Sequence, residues 1–186
     1  MTASRSSLGW IALRMALACL VVGVLATLAA ADLTGTQVAT KPAVVRLPSP
    51  TPQAGATAFE QSIFDRINAI RKEHSLAPVR FAGDLLPVAR RHSEDQARRN
   101  TLTHVGADGR NAGARLDASQ IAWVRYGENV ALVKGYTDPV TTVVDAWMRS
   151  PGHAANVLDA QLVESAIGVA QSADGTYFIT QDFVTR

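Results

Sequence analysis

At 186 residues, of which 47% are hydrophobic and 6% aromatic, the chain is long enough to bury one core and too apolar to be disordered. Its formal net charge of +2 comes from the first 57 residues, where Arg5, Arg14, Lys41 and Arg46 are set against Asp32 alone. The remainder keeps 14 of the 18 Lys and Arg and 15 of the 16 Asp and Glu, a balance of about minus one, so no basic face is expected and no nucleic-acid partner.

The N-terminus places Arg5 and Arg14 around a polar start, followed by an apolar run from Met15 to Ala30 and the small residues Ala29-Ala30-Ala31. Residues 1–31 therefore read as a signal peptide cleaved near Ala31, and the protein as secreted and extracellular. The alternative is an uncleaved anchor, since the apolar stretch counted back to Ile11 nearly reaches spanning length; that leader is then the expected membrane contact. Cys19, the single cysteine, lies within the run, so the exported part has no disulfide and must be held by its core. Residues 32–57 are rich in Pro, Thr and Ala, with Pro42, Pro48, Pro50 and Pro52 spread through them, and read as an extended spacer.

A domain is expected over 58–186. Phe59, Ile63, Ile67 and Ile70 recur at helical spacing, with Glu60, Asp65, Arg66 and Lys72 on the other side. A second helix is expected after Asp84 as N-cap, with Leu85, Val88, Ala89, His92 and Gln96 on one stripe and Pro87 in its first turn. From Asn100 to Arg125 the pattern is irregular, with a short helical turn beginning at Arg115-Leu116. Asp138 caps a third helix with Pro139 at its first position and Val140, Val143, Val144 and Trp147 inward; Pro151-Gly152 stops it. Ala166–Ala170 and Thr176–Phe183 read as strands of a hairpin turning at Asp174-Gly175. Aromatics at Tyr177, Phe178 and Phe183 fall on both faces of the second strand, so both faces are expected to be covered. Helices followed by an antiparallel hairpin make an α+β domain.

Chemistry concentrates between Tyr126 and Asn156. Gly127-Glu128-Asn129 opens this stretch and Ser150-Pro151-Gly152-His153 closes it, while His104 sits upstream. We expect His104, Glu128 and His153 to converge on one ligand-binding cleft. Two imidazoles and a carboxylate with an open position also form a catalytic zinc set, although no two of them lie at helical ligand spacing. The structural alternative has Glu128 and Asn129 securing a buried turn, His153 capping a short helix through Ala154, Asn156 and Leu158, and His104 hydrogen-bonding to it without metal. Asn129, Ser150 and Asn156 are read as support. His92 reads as a satisfied core histidine, and Trp123 as a residue that could line the cleft. Ser150 near His153 is the sequence-local nucleophile and base pair, with no evident oxyanion hole.

Taken in order, Ile67-Asn68-Ala69-Ile70-Arg71, Ala89-Arg90-Arg91-His92-Ser93, Leu102-Thr103-His104, Gly127-Glu128-Asn129, Trp147 to His153 and Tyr177 to Phe183 resemble the CAP superfamily, in particular its disulfide-free bacterial SCP-like branch. The resemblance implies an α-β-α sandwich with a central antiparallel sheet and a surface cleft. It also implies two histidines and two glutamates able to hold a divalent cation such as Zn2+. His104 and Glu128 match two of these, whereas Ser150 and Phe178 stand where the second glutamate and second histidine are expected; His153 could substitute. The functional expectation is a monomeric exported binding module for a lipid, a sterol-like molecule or an envelope protein. The alternative is a metal-dependent hydrolase or protease using the same cleft, with its catalytic residues unknown.

Overall fold

A computed structural model describes residues 53–186; the leader, Cys19 and nearly all of the spacer lie outside these described residues. The chain forms helix α1 (Ala58–Glu73), strand β1 (Arg80–Phe81), helices α2 (Leu86–Arg99) and α3 (Ala112–Ala118), strand β2 (Arg125–Val133), helices α4 (Pro139–Arg149) and α5 (Pro151–Val157), and strands β3 (Glu164–Gln171) and β4 (Tyr177–Thr185). The sheet order is β1-β3-β4-β2, antiparallel except for the short parallel pairing of β1 with β3. Helix α2 covers one face, and α1 and α4 pack on the other, which is the expected α-β-α sandwich.

Alternation along β4 sorts the two cores. Ile179 and Phe183 join Ile63, Ile67, Val144 and Trp147 under α1 and α4, while Val184 joins Leu85, Val88 and Leu116 under α2 and α3. Trp147 is 1% exposed and donates its indole N–H to the Val130 carbonyl at 3.0 Å, so its polar edge is satisfied within the core. On the opposite face α2 lies directly on β3 at Gly168: a Cβ there would stand 2.2 Å from the Arg90 backbone nitrogen. The Ser93 hydroxyl donates to the Gly168 carbonyl at 2.9 Å, fixing the contact.

Asp138 caps α4 as expected, accepting from the Thr141 N–H, and Gly175 turns the hairpin at φ +87°. Three expectations are corrected. Asp84 does not cap α2: Leu85 holds that position without a side-chain bond, and Asp84 instead pairs with Arg186 at 2.8 Å. Glu60 is not on a solvated face. It is 1% exposed and closes a capping box with Thr57 while accepting from Arg90 and the Val169 N–H, so it ties α1, α2 and β3 together. Glu128 and Asn129 lie in strand β2 rather than in a turn. Pro151 ends α4 as expected and also starts α5 at its first turn.

Arg71 explains part of the first helix motif. Its guanidinium donates to the carbonyls of Ala77, Val157, Asp159 and Leu162 at 2.8–3.2 Å, so a buried charge is satisfied while the α5–β3 connection is clamped to α1.

Candidate functional site

Glu128 projects from the α2-side face of edge strand β2 and is 8% exposed. One carboxylate oxygen receives His104 Nδ1 at 2.7 Å and the other receives Arg115 from α3. The second guanidinium nitrogen of Arg115 donates to the backbone carbonyls of His104 and Arg110, at 3.1 and 3.0 Å, so one side chain fastens both the strand and the 104–110 loop. The Glu128 bond is the largest influence on His104, and it holds the imidazole above its ordinary pKa. His104 stays about half exposed with Nε2 free of any protein hydrogen bond among the described residues.

His153 lies in the first turn of α5, its ring centroid 6.3 Å from that of His104. Burial first, and the neighbouring His104 second, push its pKa down. The helix carrying it is docked by amides: Asn156 donates to the Asn129 side chain at 2.9 Å and to the Glu128 carbonyl at 3.0 Å, and Asn129 donates to the His153 carbonyl at 3.3 Å. Asn129 is fully buried, and strand alternation turns it toward α5 while Glu128 faces α2. Asn129 and Asn156 thus tie α5 to β2 through side-chain hydrogen bonds. Ser150 contributes through its backbone, its carbonyl accepting from Ala154 at 2.8 Å. Among the described residues no hydrogen bond joins its hydroxyl to His153.

His104 and Glu128 are thus in contact, and His153 stands beside His104. Sequence reasoning missed Arg115 as the partner of Glu128, and it missed Asp182. Asp182 stands opposite Glu128 in the β2–β4 register and is 1% exposed, with Oδ2 lacking a hydrogen-bond partner. Burial first and the Glu128 charge second push its carboxyl up to about 8, against an opposing pull from Arg115. His92 lies beneath, with Nε2 2.8 Å from the Thr103 carbonyl and 3.9 Å from Glu128; burial and then Arg115 keep its pKa below the ordinary histidine value. Trp123 is committed to Asp117 and stacks edge-on with Tyr126.

The donor set does not fit a bound metal. Both Glu128 oxygens are taken, one of them by a cation, and Phe178 at the position of a further ligand is fully buried apolar surface. Among the described residues no three His, Cys, Asp or Glu side chains gather as a metal-holding group.

Residues 64–183 match the model of the CAP family, described as the cysteine-rich secretory protein family. The chain belongs to this family. A relative in Bacillus subtilis, the uncharacterized membrane protein YlbC, is 32% identical over 130 residues, covering 70% of this chain and 35% of its own length. An extracellular protein of Bacillus anthracis containing an SCP domain is 30% identical, with a TM-score of 0.59, covering 69% of this chain and 40% of that one. An outer surface protein of Borrelia burgdorferi shares the fold at 19% identity and a TM-score of 0.62, covering 69% and 92%. The chain therefore spans less than half of YlbC and of the anthrax protein. Among the described residues no helix is long and apolar enough to cross a membrane.

Proposed function

We propose that this CAP protein is exported and works at or outside the cell envelope as a binding module, using the surface around His104, Glu128 and His153 to hold a protein ligand. The observation that carries this reading is the engagement of Glu128 by both His104 and Arg115, which leaves neither carboxylate oxygen open to a substrate or a cation. The loop and strand bearing His104 and Glu128 also expose Leu102, Val105 and Tyr126, between 37% and 45% each, giving a polar centre with apolar neighbours. Of the ligand classes expected, a sterol or acyl chain is less well served, because two cavities among the described residues, one between α2 and α3 and one between α2 and the end of β3, are lined mainly by polar and small side chains. The extracellular and outer-surface relatives support the location.

The test is saturable binding of the purified protein to solubilised envelope proteins and to lipid vesicles, beside His104→Ala and His153→Ala. Protein binding that both substitutions weaken about tenfold or more supports the reading. Vesicle binding indifferent to both would sink it.

Hydrolysis is the second reading, and one observation favours it: Nδ1 of His104 on a carboxylate leaves Nε2 outward, as a general base requires. Among the described residues no hydroxyl or thiol is hydrogen-bonded to the His104 ring. A hydrolytic activity abolished by both Glu128→Gln and His104→Ala would establish it.

A further inference from the structure

Beside Arg115 lies a cavity of about 530 Å³ lined by α2, the 106–110 loop and α3. None of His104, Glu128 and His153 lines it, so it is a second place on the molecule. Its charged lining is Arg91, Arg98, Arg110 and Arg115 with Asp95 and Asp108, a local balance of four positive charges against two negative. Residues 58–186 as a whole carry 14 basic and 15 acidic groups, so positive charge is concentrated here against the average.

The two carboxylates are already committed. Asp95 accepts from Arg99 and the Ala107 N–H and lies 3.6 Å from Arg98; Asp108 accepts from Arg110 at 3.1 Å and from its backbone N–H. They are therefore poor cation ligands. Arg91 has no carboxylate partner among the described residues and donates to the Ser119 hydroxyl at 3.0 Å. Two more polar atoms of the lining, His92 Nδ1 and Arg115 Nε, are buried without a hydrogen-bond partner, on side chains that are 0% and 10% exposed. His92 Nε2 lies against a carbonyl and so carries the hydrogen, which leaves Nδ1 as an acceptor. A molecule entering this cavity meets the Arg91 guanidinium, which no carboxylate neutralises among the described residues, in a lining whose apolar side chains are Val88, Ala107 and Ala118.

We propose that this cavity binds a small soluble oxyanion of about sugar-phosphate size, its phosphate or carboxylate gripped by Arg91 and Arg98 and its hydroxyls meeting the His92 and Arg115 wall directly or through water. Arginine suits this role because its planar fork donates two parallel bonds to an oxyanion. The volume lies within the ordinary range for a small-molecule site, about 300–1,000 Å³. This inference goes beyond the protein-binding surface: the cavity shares Arg115 and His92 with the surroundings of Glu128, while its gripping residues, Arg91 and Arg98, lie outside the set of His104, Glu128 and His153.

Calorimetric titration of the full chain with glucose 6-phosphate, with glucose and with phosphatidylglycerol vesicles tests it, beside Arg91→Ala, Arg98→Ala and His104→Ala. The expected result is saturable binding of glucose 6-phosphate but not of glucose, weakened as salt rises from about 50 to 300 mM. Arg91→Ala and Arg98→Ala should each lower affinity about tenfold, which one lost charged bond produces. Retained binding in His104→Ala separates this site from the other surface. No saturable binding of glucose 6-phosphate, or binding indifferent to both arginine substitutions, overturns the proposal. Binding to the vesicles alone overturns it too, by assigning the arginines to a lipid headgroup.

Discussion

Glu128 on β2 and Asp182 on β4 face each other across the sheet, two carboxylates in one buried register position with Arg115 and His104 bonded to the first and neither to the second. Burial and the Glu128 charge keep Asp182 protonated through neutral pH. A carboxyl whose folded pKa is raised makes its stability contribution below the unfolded value of about 4, and that contribution is lost as pH rises toward about 8. Asp182→Asn, which keeps the shape and removes the ionisation, should be more stable than wild type at pH 8 by several degrees of Tm, with the difference closing at pH 4. A pH-independent offset between the two proteins would show that Asp182 does not titrate as described.

The two histidines at the surface should separate in titration. His104 is held up by its Glu128 bond and His153 is pushed down by burial and by His104. His104 thus favours the folded state at low pH and loses this contribution as pH rises through its own pKa. In proton NMR of the imidazole resonances, His104 should titrate above about 6.5 and His153 below it. Glu128→Gln should bring His104 down. Two coincident curves in wild type would mean that the Glu128 bond is not made.

Gly168 is a packing position. A methyl group there meets the α2 backbone at 2.2–2.7 Å, which a side-chain rotation cannot relieve. Gly168→Ala should lower the urea midpoint, by about 3 kcal/mol or more in stability, since α2 must lift from the sheet. Near wild-type stability would show that α2 sits looser on β3.

Much of this architecture is legible in the residues. Asp138-Pro139 announces the start of α4, Asp174-Gly175 the hairpin, and the aromatics of β4 its coverage on both sides. Strand β2 is harder to read because both its faces are buried from Gly127 to Ala131, which removes the polar-apolar alternation that betrays a half-exposed strand. Asp84 has the side chain of a good cap, but Arg186, 102 residues away, takes it. The same distance problem hides the heart of the site. His104, Glu128 and His153 stand out by their chemistry, whereas Arg115 looks like an ordinary helix arginine until α3 is folded against β2. Asp182 is legible as inward-facing, but its opposition to Glu128 exists only once the register is known.

The central question is whether the Glu128 carboxylate is held by His104 and Arg115 or by a metal, and zinc titration of the protein near pH 7, beside His104→Ala and His153→Ala, answers it most directly. If the carboxylate is consumed as described, zinc binds weakly and neither substitution changes its affinity appreciably. One tightly bound zinc per chain, weakened more than about tenfold by each substitution, would contradict this and make the surface a metal centre.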